Sequence, residues 1–426
     1  MISLRVLVAL TLIAAPAVDS ALAEARKSAP RAKQARAGYT LARSLDGAMQ
    51  IDAQGKGLIA QRRAAAARYA TANSISPGSP FIAGQARKGT GGFYQNLDTP
   101  EPPVRHAREA EVEVGMPLWL PGQSSALRET VDRAVLELDE RIALRRLDVA
   151  GRIRDAWWNV QRTARELEIE RERVATARDI EHDISRRADL GDTAHQDKLL
   201  ARNETLSAET EFTRAEAAAR AARDAFAVLT GGPYVEGALE PTVSDVGPDG
   251  HPAVRAATAA LARAEANVRL VDATPIENPE VGVFGRRDYS ASGYAREGGT
   301  TVGFRFRMPL PTAGRNEPRK AEAEAETDRA EAELAQTRRL VAAEIAAARK
   351  ALEAARRAEA SAVKRLATAT EQFDLALKSL KLGEIGAFDL YRVRQMKIDA
   401  QRSRVALSIE AGQAMSRLNQ ARGYAP

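Results

Sequence analysis

Met116-Pro117-Leu118 recurs as Met308-Pro309-Leu310, 192 positions further on, and Leu190-Gly191-Asp192 recurs as Leu382-Gly383-Glu384 at the same offset. Gly122 with Gly314, Asp197 with Asp389 and Gly231 with Gly423 keep that offset as well. A gap-free register held from residue 116 to residue 231 means that one structural plan is written twice in this chain. Upstream, Pro80-Phe81 corresponds to Pro279-Glu280 at an offset of 199, so the first copy carries seven extra residues, a length change expected of a surface loop.

Each copy reads as a helix, a strand pair, a very long helix, a tight turn and a return helix. Gln123 to Leu190 contains no proline and only Gly151, and at 1.5 Å per residue it predicts a rod of roughly 100 Å. Its apolar positions Val131, Val135, Leu138, Ile142, Val149, Ile153, Trp157, Val160 and Leu167 fall mainly three, four or seven apart, the seam of packed helices. Lys320 to Leu382, the second rod, lacks both proline and glycine and is richer in alanine, which lets helices approach closely. The composition agrees: aromatic residues are only 5%, while Ala, Glu, Arg, Lys and Leu fill long stretches. Gly191 and Gly383 suit the left-handed position that ends a helix, and Asp192 and Thr193 can cap the helix that follows. These are the tips of helical hairpins. Trp157 and Trp158 lie mid-rod on the apolar stripe, which assigns them to packing.

Before each rod the period changes to strict alternation. In Ala110-Glu111-Val112-Glu113-Val114-Gly115-Met116 and again in Val302-Gly303-Phe304-Arg305-Phe306-Arg307-Met308, apolar side chains take one face and charged ones the other. An earlier partner runs through Val281, Val283 and Gly285 towards Arg286 and Arg287. This pattern fits a half-buried strand of a soluble antiparallel sheet. It equally fits lipid-out, lumen-in strands, although about four of them cannot close a barrel of eight or more unless several chains pool theirs.

Arg5, the apolar run Val6 to Val18 and Ala21-Leu22-Ala23 have the form of an export signal, too short for a membrane-spanning helix. The expected divisions are therefore a signal peptide at 1–23, a flexible basic extension at 24–38, and helix-strand-strand-helix repeats at 39–235 and 236–426. No later segment is apolar enough to cross a bilayer as a helix. The net charge of +6 is the difference of 63 basic and 57 acidic residues interleaved along helices, a solvated pattern rather than a nucleic-acid surface. The absence of cysteine excludes disulfides, thiolate metal sites and a lipid-bearing cysteine.

The export signal, the doubled plan, His251-Pro252-Ala253-Val254 opening the second copy, Met308-Pro309-Leu310-Pro311 closing its strand pair, and the two tips together resemble the TolC-like outer membrane factors. What the resemblance implies is a mainly α fold with a small β part. Long antiparallel coiled helices would form a periplasmic tunnel, and four strands per chain would join a trimeric transmembrane β-barrel in the outer membrane of a Gram-negative cell. The implied function is that of a passive exit duct of a tripartite efflux pump, partnered by a periplasmic adaptor and an inner-membrane pump. On this reading Val302, Phe304, Phe306 and Met308 face outer-membrane lipid. Gly191, Asp192, Thr193, Gly383, Glu384 and Ile385 meet the adaptor. Asp389, Arg392 and Asp197 lie at the periplasmic aperture, with Asp389 matching the family's acidic position and Arg392 standing where some relatives carry a second acid. Met-Pro-Leu-Pro with Gly314-Arg315-Asn316 resembles the heavy-metal efflux branch. A type I protein-secretion duct and a soluble periplasmic coiled-coil scaffold are the competing expectations.

No enzyme is expected. His106, His182, His195 and His251 are scattered without the spacing of a metal site, no phosphate loop is present, and no cofactor is called for. His251-Pro252 instead reads as a helix start, with proline in the first position.

Overall fold

The computed structural model of the chain describes residues 41–90, 106–191, 194–234, 240–244, 247–291 and 296–426. The expected signal peptide and basic extension lie outside the described residues. The first copy comprises the short helices α1 (Leu41–Ile51), α2 (Ala53–Ala67) and α3 (Tyr69–Ala72), strands β1 (Phe81–Thr90) and β2 (His106–Pro117), the rod α4 (Gln123–Asp189) and the return helix α5 (His195–Thr230). The second comprises α6 (Pro252–Asp272), β3 (Glu280–Ala291), β4 (Arg296–Arg307), α7 (Ala313–Lys381) and α8 (Ala387–Ala421).

The rods have 67 and 69 residues, so each is about 100 Å long. The second starts earlier than its composition suggests, because α7 takes in Gly314 and Pro318. Pro318 is in the second turn, where the missing N–H leaves only the Gly314 carbonyl without its bond. Along α4, Val131, Val149, Ile153, Trp157 and Val160 are buried as the seam predicts, whereas Val135, Leu138, Ile142 and Leu167 are only half-covered. Part of that upper seam is ionic instead: buried Glu137 accepts from Arg263 of α6 at 2.5 Å and pairs with Arg141 one turn on.

α5 and α8 are about half as long as the rods, so each rod needs a second partner on its other half. α8 ends at Gly423 (φ +79°), where an added Cβ would sit 2.5 Å from Pro252 at the start of α6. α5 ends against α1, where a Cβ on Gly47 would sit 2.6 Å from the Thr230 carbonyl. Half-length helices thus meet end to end alongside unbroken rods. Around this level Leu45, Val149, Ile153, Trp157, Trp158, Phe226 and Ile409 form the largest core cluster. The tryptophans pack edge to face at 4.7 Å, and the Trp158 indole donates to Ser416. Both are buried, as packing residues should be. Arg154, 3% exposed, forms a two-pronged pair with Glu240 of the inter-repeat segment (2.6 and 3.0 Å) and donates to the Tyr424 carbonyl and Gln420.

α6 opens as expected with Pro252 in its first position, and buried His251 caps it, its Nδ1 accepting from Ala253 N–H at 3.1 Å. Burial holds this imidazole below the ordinary histidine range, which keeps Nδ1 free of a proton and able to accept.

The four strands form one antiparallel sheet in sequence order, the two copies meeting where β2 pairs with β3. The register aligns Ile82, Val114, Val283 and Phe304 in one row.

Candidate functional site: an inverted sheet and paired tips

Because side chains alternate across a strand, this register sorts the sheet into two faces. One carries Ile82, Val112, Val114, Val283, Val302, Phe304 and Phe306, all exposed, with Phe304 84% accessible. Met308, just past β4, is exposed beside them. The other face carries Glu111 and Glu113, which are buried. Arg305 covers them. From β4 it reaches over β3 to β2, its guanidinium 2.5 Å from Glu111, bonded to Glu113 and stacked 5.0 Å above the Phe284 ring. Arg286 pairs with Glu109 and Asp288, and Arg307 with Glu280. A sheet of a water-soluble domain covers its apolar side and leaves charges in solvent. This one does the reverse, and among the described residues the lateral edges of β1 and β4 remain unpaired.

At the opposite end, the rods terminate at Gly191 (φ +80°) and Gly383 (φ +77°). Around the second, Glu384 N–H bonds the Ser379 carbonyl (2.9 Å) and Gly383 N–H bonds the Leu380 carbonyl (3.1 Å), the Schellman closure that only a residue tolerant of positive φ permits readily. Leu190 and Leu382 are exposed at the two tips, Glu384 is exposed, and Ile385 packs partly against the core of Ile180, Ile184, Ala201, Phe373 and Leu390. Asp192 and Thr193 lie outside the described residues. The N-cap of α5 is Ala194, which supplies no side-chain acceptor. Arg187 at the end of α4 donates to the Leu380 carbonyl of α7 (3.2 Å) and ties the two hairpins together.

Asp389 and Arg392 both project into solvent from the first turns of α8, and Asp197 stands half-buried in the first turn of α5. No hydrogen bond or ion pair joins these three to one another. The simple ion pair that a spacing of three allows is therefore not made between Asp389 and Arg392.

A group that sequence reasoning passed over lies above them. Arg394, 3% exposed, donates to the Arg173 carbonyl on α4 (2.8 Å), and Arg173 pairs with Glu204 at 3.0 Å and Glu170 at 3.5 Å. Burial depresses the Arg394 pKa, opposed by the Glu204 charge. Burial also pushes the Tyr391 hydroxyl up to about 12. The only available sequence signal was that Arg394 and Arg392 cannot share a helix face.

A sheet with an exposed apolar face and a charged face, continued by hairpin rods about 100 Å long, is a fold of the helical-tunnel and β-barrel class. Comparison with known proteins supports that class. The chain superposes on the outer membrane protein VceC of Vibrio cholerae with a TM-score of 0.69 at 19% identity, covering 90% of this chain and 96% of that one. For the CmeC outer membrane channel of Campylobacter jejuni the TM-score is 0.66 at 15% identity, covering 98% and 94%. For the open state of the MtrE outer membrane channel of Neisseria gonorrhoeae it is 0.66 at 16%, covering 90% and 89%. No curated protein matches by sequence. Residues 249–424 match the sequence model of the family described as outer membrane efflux protein. The fold read from the residues thus holds: the chain shares the architecture of these outer membrane channels, and its residues 249–424 match the outer membrane efflux protein family.

Proposed function

We propose that three copies of this chain close a twelve-stranded barrel and act as the passive exit duct of a tripartite efflux pump. The observation that carries this reading is the inverted sheet. Its apolar face needs lipid, its free edges need partners, and four strands are too few to close a barrel alone. Three sheets joined β4 to β1 satisfy all three needs and turn the Arg305–Glu111–Glu113 cluster into the lumen. In this assembly Val302, Phe304, Phe306 and Met308 contact lipid. The tips lie farthest from the sheet and present Gly191, Asp192, Thr193, Gly383, Glu384 and Ile385 to a periplasmic adaptor, while an inner-membrane pump supplies the free energy. Asp389, Arg392 and Asp197 line the aperture. The cargo is heavy-metal cations or small toxic compounds, a reading supported by the Met308-Pro309-Leu310-Pro311 and Gly314-Arg315-Asn316 stretches.

The test is Phe304→Arg beside a Phe304→Leu control. An arginine facing lipid near the bilayer midplane costs about 2–4 kcal/mol per chain. Trimer recovered from outer membranes should fall sharply for the arginine variant and stay normal for leucine. Normal yield from both would refute the lipid-facing assignment. Survival of a strain lacking the native duct on metal salts against its survival on drugs distinguishes the cargoes.

A further inference from the structure

Between α4, α7 and α8 lies a cavity of about 90 Å³ lined by Arg173, Arg394, Lys397 and Gln401, with Phe373 as an apolar wall and Glu172 as its single carboxylate. Glu172 is exposed and stands at the rim. Lys397 lies 4.5 Å above the Phe373 ring and has no carboxylate within ion-pair distance among the described residues.

The charges around this cavity do not balance. Glu170 divides its charge between Arg173 and Arg402 and lines the groove on the α5 side instead. Glu204, 28% exposed, serves Arg173 at 3.0 Å and reaches Arg394 only at 3.8 Å. Counting Arg402 with Arg173, Arg394 and Lys397, four cationic groups thus face three carboxylates, Glu170, Glu204 and the exposed Glu172 at the rim. Arg394 Nη1 and Arg173 Nε are buried without a hydrogen-bond partner, as is Glu170 Oε2 on the α5 side, and Arg394 is almost completely enclosed. An orphaned donor on a buried cation calls for an acceptor. Water can fill the space and satisfy the donors, but it leaves the excess charge uncompensated. An anion does both.

We propose that this cavity binds one small oxyanion, of the inorganic phosphate or sulfate class, held by Arg173, Arg394 and Lys397 with the Gln401 amide. These residues come from α4 and α8, so the bound anion cross-links the two hairpins of one chain above the tip. The site is independent of cargo and of the number of chains in the assembly.

Equilibrium dialysis of the purified full-length protein in detergent against radiolabelled inorganic phosphate tests this, with thermal unfolding as a second readout. One phosphate should bind per chain. The unfolding midpoint should climb with the logarithm of phosphate or sulfate concentration above Kd. Sodium chloride at equal ionic strength controls for screening and should give no saturable rise. Lys397→Gln should weaken phosphate binding at least several-fold, and Arg394→Gln should abolish it. If Arg394→Gln fails to assemble, Lys397→Gln decides, because that side chain is half-exposed and has no ion pair to lose. No saturable binding, affinity unchanged in Lys397→Gln, or equal stabilisation by chloride would each overturn the proposal.

Discussion

Replacing Arg154 by Met removes one member of a buried pair and leaves Glu240, 7% exposed, without its two guanidinium bonds. It also strips the donors from the Tyr424 carbonyl and from Gln420. Deleting one partner of such a pair costs about 3–5 kcal/mol, chiefly through the charge left behind. That converts to opening of the surrounding segment on the order of 10²–10⁴ times more often. Hydrogen exchange at the amides of 419–424, which belong to the α8 terminus that Arg154 holds, reads this opening directly. The companion variant Arg154→Met/Glu240→Leu removes both charges and should recover all but about 1–3 kcal/mol, the deficit of the unsatisfied Tyr424 carbonyl. If the double variant exchanges as fast as the single one, charge burial is not the cause, and the loss reflects shape alone.

In the proposed trimer, Arg392→Asp replaces three positive charges by three negative ones at the aperture proposed for Asp389 and should raise single-channel conductance in planar bilayers without lowering trimer yield; unchanged conductance refutes a gating role. Cysteine at Ile385, in a chain with none of its own, should crosslink to the adaptor, whereas crosslinks confined to mid-rod positions near Trp157 would place the docking site elsewhere. His251 has its folded-state pKa depressed by burial, so the stability tied to it is complete above about pH 6.5 and declines as pH falls from there towards the lower folded value. His251→Asn keeps a capping acceptor without titrating and should flatten that slope in urea unfolding between pH 7 and pH 5. An identical slope in both proteins refutes the assignment.

The repeat, the rods and the tips were legible because each depends on local chemistry. Helical period, two glycines at the turning points and the absence of breakers are properties of short windows. The strands were legible too, but their faces were not. Alternation at Val112 and Glu113 says that the two differ, and only the pairing with β3 and β4 shows that the glutamate is covered and the valine bare. Arg305 reaches Glu111 across 194 positions, a distance over which sequence pattern gives no register. Buried charges were illegible for a related reason. Arg392 and Arg394 stand two apart in a string of similar residues, yet one is in solvent and the other 3% exposed, because a helix turns them to opposite sides. The start of α7 was misplaced because Pro318 looks like a boundary, although a proline in the second turn costs a helix a single bond.

The end-to-end meetings of α8 with α6 and of α5 with α1 have a mechanical consequence. Both occur near Leu147 to Arg154 of α4, as the contacts of Gln420 with Gly151 and of Asp52 with Arg145 show. A beam assembled from two continuous timbers and two spliced ones carries its load at the splice through the continuous pair alone, and it flexes there first. Here the splices of both repeats fall at one height, so each chain has a single compliant belt, dressed with its largest aromatic cluster and its best-buried ion pair. A sideways pull on the tips is then converted by a lever arm of about 40 residues, on the order of 60 Å of helix, into a small rotation at that belt. The sheet above it need not move.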